Sequence, residues 1–239
     1  VSSWSAVDYY GKRKALFEGI KTSFNDNYLV ADTQGTHVSI IWTRKEPFSV
    51  YSFDEDVSFE ISLVHRDGKK LGMWELTPTK AGIESLEGTD FALKILEFDL
   101  DTIKNFHPAD CILQLKTLYP SCEDLIDYPS EFTFVRPKDL QLLTENLKWK
   151  VKKCRYDDCK NRFNLSVVSP SFQKDVYLLD RNDKLNVLNQ DQINIGENLP
   201  QFFSFSGEKL VYHGTRKEIR KIKKAIEVQS LNQFLGKNP

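Results

Sequence analysis

Val57, Phe59, Ile61 and Leu63 alternate with Ser58, Glu60 and Ser62, and this period of two constrains the chain more than any other feature. Successive side chains of a strand point to opposite faces, so the run reads as a half-buried strand with one face in a core. Asp67-Gly68 follows, a dipeptide suited to a tight hairpin, and Met73-Trp74-Glu75-Leu76 returns. Further strand-like runs lie at 29–31, 37–42, 91–98 and 111–118. Phe132-Thr133-Phe134-Val135 then leads into Arg136-Pro137-Lys138, where the proline and its polar neighbours mark a boundary. A second strand set begins near Leu147. Trp149 and Val151 alternate with Lys148, Lys150 and Lys152, and Phe163, Leu165 and Val167 alternate with Asn164 and Ser166. Runs at 176–179, 202–205 and 225–231 complete it. The lysine alternation reads as the solvated face of a sheet, and the basic stretch 216–224 as a solvent-facing turn before the last strand.

The chain is therefore expected to be mainly β. Two successive units of about 100 residues each, with turns at regular spacing, suit tandem immunoglobulin-like β-sandwiches, the first over 27–137 and the second over 138–239. A different period precedes them. Tyr9, Leu16, Phe17, Ile20 and Phe24 fall on one helical stripe, Ser5 and Asp8 resemble a capping box, and Asn25-Asp26-Asn27 is a stop, so 5–24 reads as one helix.

Composition narrows the function classes. The 16 Phe, 9 Tyr and 4 Trp suit strands more than helices. The 33 basic and 34 acidic side chains leave a net charge of -1, which points to neither a phosphate backbone nor an anionic membrane as partner. Of the 4 Cys, Cys154 and Cys159 bracket Arg-Tyr-Asp-Asp between two strand-like runs, where a hairpin brings them face to face. Cys111 and Cys122 sit near the two ends of another strand and turn. Each local pair, if formed, is worth roughly 2–3 kcal/mol in the chain-entropy account, and four half-buried thiols are the alternative. Zinc fits less well, since the C-x4-C spacing is loose and there is no CxxC. The one N-x-S/T sequon is Asn164-Leu165-Ser166, an expected glycosylation site if the chain is lysosomal or extracellular.

No GxGxxG, P-loop, HExxH or GxSxG occurs. His37, His65, His107 and His213 are scattered without metal-ligand spacing. Asp54-Glu55-Asp56 and Asp157-Asp158 read as turns rather than as full calcium loops. The opening segment is different. Trp4, Asp8, Tyr9 and Tyr10 lead straight into the helix, and a strand-end loop feeding a helix is where a (β/α)8 barrel keeps its active-site residues. Trp4 either offers a flat face to a sugar ring or packs at a terminus.

Residues 2–16, SSWSAVDYYGKRKAL, resemble the stretch that ends the catalytic barrel in β-mannosidases of glycoside hydrolase family 2, with Trp4, Asp8, Tyr9, Gly11, Lys14, Ala15 and Leu16 in matching places. Phe134-Val135-Arg136-Pro137-Lys138-Asp139-Leu140 is similar to that family's junction between its two C-terminal sandwiches. Ser171-Phe172-Gln173-Lys174-Asp175-Val176-Tyr177-Leu178 is similar to a strand of its last domain. Leu188-Asn189-Gln190-Asp191-Gln192 keeps only the polar character of the family's turn there, and Arg13-Lys14 lacks the usual intervening aromatic.

The resemblance implies a retaining glycosidase that hydrolyses terminal non-reducing β-D-mannose. One Glu would act as general acid and base and another as nucleophile, both on barrel strands upstream of Val1. This chain would contribute residues 1–26 to the end of the barrel, Trp4, Asp8 and Tyr9 to the substrate loop, and two supporting sandwiches, but no catalytic residue. Its partners would be the upstream chain and a mannose-containing oligosaccharide, with no cofactor, metal, nucleic acid or membrane. A stand-alone carbohydrate-binding or adhesive tandem module, and a β-glucosaminidase or β-galactosidase of the same family, are the competing expectations.

Overall fold

The computed structural model describes residues 27–48, 57–79, 86–118, 130–154, 162–182 and 203–235. The helix expected at 5–24 lies outside them. The described residues fall into two compact units, one of 27–65 and 69–140, the other of 141–235 with the turn residues 66–68. The described residues are mainly β, in three four-stranded antiparallel sheets with a few short helices.

In the first unit β1 (Asn27–Gln34) turns directly into β2 (His37–Arg44). Gly35 is the first of the two turn residues and has φ +65°, the backbone a type II′ hairpin requires at that position. There follow β3 (Ser58–His65), β4 (Lys70–Leu76), β5 (Gly88–Thr89), β6 (Ala92–Asp99), β7 (Cys111–Leu118) and β8 (Ser130–Thr133). Sheet orders are β1-β2-β6-β5 and β4-β3-β7-β8.

The two sheets close on one core. Val57, Phe59, Ile61 and Leu63 are each at most 2% exposed, as their alternation predicts, and share that core with Leu29, Val38, Ile40 and Trp42 of the other sheet. Trp42 lies at its centre. The indole meets Phe59 edge-on at 4.9 Å between ring centres and Phe48 at 4.7 Å. Trp74 of β4 and Phe98 of β6 stack at 4.4 Å. Each fully buried aliphatic such as Ile61 or Leu63 contributes roughly 1.5–3 kcal/mol. The unit ends in a tight turn, Pro137–Asp139, with the Arg136 Nε 2.8 Å from Asp139 Oδ2 and Leu140 buried after it. Proline suits the first position of such a turn because its fixed φ is already right and no N–H is needed there.

The second unit comprises β9 (Lys148–Lys153), β10 (Arg162–Asp180), β11 (Phe203–Thr215), α1 (Arg216–Ala225), β12 (Ile226–Gln229) and α2 (Leu231–Leu235). The runs expected as separate strands at 163–167 and 176–179 are one strand of 19 residues. Up to Ser169 β10 lies between β9 and β11, and from Tyr177 to Asp180 it pairs with β12. Register shifts flank Gln173, and Asp175 sits in the left-handed region at φ +48°. Such irregularities let one strand bend and serve two parts of a sheet. Val167, Val176, Leu178, Phe203, Phe205, Val211 and Ile226 form the core beneath it.

Residues 216–224 are not a turn, and 225–231 is not one strand. The basic stretch is the helix α1, and β12 is only four residues long before α2 begins. The cause is a capping box: the Glu218 N–H donates to Thr215 Oγ1 at 3.4 Å, and Glu218 Oε2 accepts the Thr215 backbone N–H at 2.7 Å. Ile219 and Ile222 give the helix its inward side, and Lys223 and Lys224 in its last turn complement the helix dipole. Bonded first to the Thr215 backbone and then to its hydroxyl, the Glu218 carboxyl titrates below its ordinary range.

Candidate functional site

Trp4, Asp8, Tyr9, Cys122, Cys159 and the two acidic clusters at 54–56 and 157–158 lie outside the described residues. Cys111 is buried in the core of the first unit on β7. Cys154 follows β9 half-buried, its backbone N–H on Arg162 O at 3.0 Å. Asn164 is half-buried on β10, between Lys152 of β9 and His213 of β11, and its Oδ1 lies 2.7 Å from His213 Nδ1. Among the described residues no three His, Cys, Asp or Glu side chains converge as a metal site. No helix among them is long and apolar enough to cross a membrane.

The 171–178 motif is the bend of β10. Phe172, Val176 and Leu178 fill the interior there, each at most 2% exposed. Ser171 and Gln173 are equally buried, while Lys174, Asp175 and Tyr177 are half-buried. Gln173 Nε2 donates to Ser169 Oγ and Ser171 Oγ, both at 3.1 Å, while its Oε1 accepts from Ser230 Oγ at 2.8 Å. Asn232 on α2 completes the arrangement. Its Nδ2 donates to Phe172 O at 2.7 Å and Leu143 O at 3.0 Å, and its Oδ1 accepts the Lys174 N–H at 2.9 Å. Register shifts free backbone groups that a regular ladder would satisfy, and the Asn232 amide bonds two of them, Phe172 O and the Lys174 N–H, while Gln173 ties the buried hydroxyls of Ser169, Ser171 and Ser230 together. The network is structural: with every bonding group engaged, nothing remains to offer a ligand.

The surface of β9, β10 and β11 is chemically richer. Lys150 Nζ and Lys152 Nζ both lie 2.8 Å from Glu208 Oε2. These two ammonium groups hold the Glu208 carboxyl down to about 2, so near neutrality it is a fixed anion and no proton donor. The expected solvated lysine face thus has a carboxylate at its middle. An open groove of about 810 Å³ runs beside it, lined by Glu145, Lys148, Lys150, Val168, Pro170 and Glu208 among others. Glu145 carries one carboxylate oxygen shielded from solvent, with no hydrogen-bond partner among the described residues.

Acid titration tests this cluster. The folded pKa of Glu208 lies below its ordinary 4.5, so its contribution to stability is fully present above about 4.5 and is lost as pH falls toward about 2. Glu208→Gln is expected to flatten that part of a plot of urea midpoint against pH. An unchanged acid dependence in the variant would show that the contact does not persist in solution.

Sequence reasoning missed Glu208, Ser230 and Asn232, which stand in no motif, and gave Gln173 no role of its own within 171–178; the roles of Gln173, Ser230 and Asn232 appear only once β10 is seen to bend. The capping pair was readable as Thr-x-x-Glu immediately before the isoleucines.

No protein-family model and no curated protein sequence matches the chain. Solved structures do match. A β-D-mannosidase from Dictyoglomus thermophilum aligns with 97% of this chain at a TM-score of 0.54 and 15% identity, and the match covers 25% of that enzyme. An exo-chitosanase from Amycolatopsis orientalis aligns with 96% of this chain at a TM-score of 0.49 and 9% identity, covering 28% of its own length. The chain spans about a quarter of the length of the structures it matches. At such identities the likeness is one of fold: nearly the whole chain is folded like a quarter of that β-D-mannosidase.

Proposed function

We propose that this chain is a non-catalytic C-terminal portion of a retaining, exo-acting β-mannosidase that removes terminal non-reducing β-D-mannose from oligosaccharides or glycoproteins. The observation that carries this reading is the fold likeness to a β-D-mannosidase over 97% of the chain. The pattern of residues 2–16 supports it independently. The order β1-β2-β6-β5 against β4-β3-β7-β8 corresponds to the ABED and C′CFG sheets of an immunoglobulin-like sandwich, which favours that assignment for the first unit. The second sandwich is assigned to 138–239.

In this reading the chemistry belongs to an upstream barrel with two Glu, one as general acid and base and one as nucleophile. Trp4 would stack on the apolar face of the mannose ring, with Asp8 and Tyr9 shaping its loop, and the sandwiches would support the barrel. The compartment would be lysosomal or extracellular, where the pairs Cys154–Cys159 and Cys111–Cys122 and a glycan on Asn164 could form. One observation favours the carbohydrate-binding alternative. The groove beside Glu208 has a volume in the range of ligand sites and combines donors, acceptors and the apolar Val168 and Pro170.

Activity measurements separate the readings. The purified chain, free of any partner, is expected to leave an aryl β-mannoside intact. Native mass measurement of the protein from its source is expected to find these residues within a longer polypeptide or bound to a heavier one. That assembly is expected to cleave the β-mannoside faster than the β-glucosaminide or β-galactoside. Hydrolysis by the isolated chain would sink the non-catalytic reading, and preference for another sugar would move the assembly to a relative of different specificity. A free chain that binds manno-oligosaccharides through the groove would favour the binding module.

A further inference from the structure

The outer side of α1 carries a charge pattern that the glycosidase reading does not use. Lys217, Arg220, Lys221 and Lys224 recur three, four and seven residues apart, so they share one side of the helix. All four are exposed, while Ile219 is 2% exposed on the opposite side and Ile222 packs against the second unit's core. None of the four is paired with a described carboxylate. Glu218, the one acidic residue of the helix, is committed to the cap, its Oε2 accepting the Thr215 N–H at 2.7 Å and the Thr215 hydroxyl at 2.9 Å. The whole chain has a net charge of -1, so this stripe is a local concentration that composition does not explain. Like charges three and four residues apart repel and weaken a helix. Here the capping box and the inward isoleucines offset that repulsion, and an anionic occupant would remove it.

We propose that this face binds a linear polyanionic glycan, one bearing sulfate or carboxylate groups along its length. Seven residues of helix place the outer two lysines about 10 Å apart along the axis, the scale of a short oligosaccharide. The face has charge and no apolar anchor, and this separates the candidate occupants. Protein interfaces build their centres from aromatic residues and are depleted in lysine. Single-stranded nucleic acids need aromatic platforms. An amphipathic helix on a membrane uses its apolar side, which in α1 is turned into the core. Duplex nucleic acid is a stiff rod that sets its phosphates on two strands, a poor match to one short line of charge. A single flexible chain of fixed anions is the occupant that four aligned cations recognise unaided. The inference stands on charge and geometry and is independent of the glycosidase assignment.

Calorimetric titration of the whole chain with a size-fractionated heparin oligosaccharide tests it, beside neutral manno-oligosaccharide, a short DNA duplex and phosphatidylserine vesicles. Heparin is expected to bind, with an affinity that falls as salt is raised, while the neutral sugar does not compete. Changing Lys217, Arg220, Lys221 and Lys224 together to Gln is expected to reduce that affinity at least about tenfold, with the far-UV circular dichroism unchanged. Changing the three lysines to Arg keeps the charge and is expected to keep the binding. Wild-type affinity in the Gln variant, no heparin binding at low salt, or tighter binding of the duplex or vesicles would each overturn the proposal.

Discussion

Asn232→Ala is expected to destabilise the second unit by about 3–5 kcal/mol. The side chain makes three hydrogen bonds, to Phe172 O, Leu143 O and the Lys174 N–H, and is itself fully buried. Alanine leaves all three backbone groups without that partner. An unsatisfied buried group costs about 1–3 kcal/mol, and the two bonds that are only part-buried fall at the low end. In a domain of this size a loss of about 3 kcal/mol lowers the melting midpoint by roughly 12–24 °C. Asn232→Asp separates bonding from packing. It keeps the acceptor for Lys174 but turns oxygen toward two carbonyls, so it should be no milder than alanine. Ser230→Ala removes one hydroxyl from Gln173 and should cost about 1 kcal/mol. Urea denaturation of the four proteins checks the order. A loss below about 1 kcal/mol for Asn232→Ala would show that water replaces the amide at the bend.

That bend marks where the sequence stops being legible. In the first unit side-chain alternation, hairpin glycines and strand spacing all agree. Strands expected at 37–42 and 111–118 accordingly stand at His37–Arg44 and Cys111–Leu118. The pattern at 57–63 names the core-facing residues one by one because β3 is central to its sheet and one of its faces is core, although Ser62 and Val64 on the other face are buried as well. In the second unit the same reasoning cuts β10 in two. Pro170 and the polar Ser169, Ser171 and Gln173 look like an interruption, since a buried polar residue is costly unless it is bonded. Its partners Ser230 and Asn232 lie some sixty residues away, and no local pattern announces them. The helix α1 was concealed differently. Its basic residues suggested a turn, although Thr215, Glu218, Ile219 and Ile222 already encoded a cap and an inward side. Of the candidate site, Asn164 and the lysines of β9 could be placed on a sheet face from alternation. The Glu208 carboxylate between Lys150 and Lys152 depends on how β11 registers against β10, which no single segment determines.

Trp42→Ala is expected to cost the first unit about 3–5 kcal/mol, the range for removing a large aromatic from a core. The total stability of a domain is about 5–15 kcal/mol, so the loss is a large share of the whole and should lower the unfolding midpoint steeply. Trp42 is 0% exposed, and through Phe59 it joins the two sheets. Its loss leaves Phe48 and Phe59 facing a void too deep in the core to collapse without moving both sheets. The Arg44 guanidinium, 5.9 Å from the indole ring, also loses its aromatic neighbour. Trp42→Phe retains an aromatic edge for Phe59 and should be markedly milder. Unfolding followed by near-UV circular dichroism ranks the three proteins. The same variant tests the supporting role. In the assembled glycosidase proposed above, a sandwich that only holds the barrel transmits damage through unfolding. Trp42→Ala should therefore shorten the half-life of activity on warming while leaving kcat/KM per folded molecule at its wild-type value. A lowered kcat/KM at temperatures where the variant is fully folded would instead place the first unit in the chemistry, since a purely supporting domain has no other route to the reacting sugar.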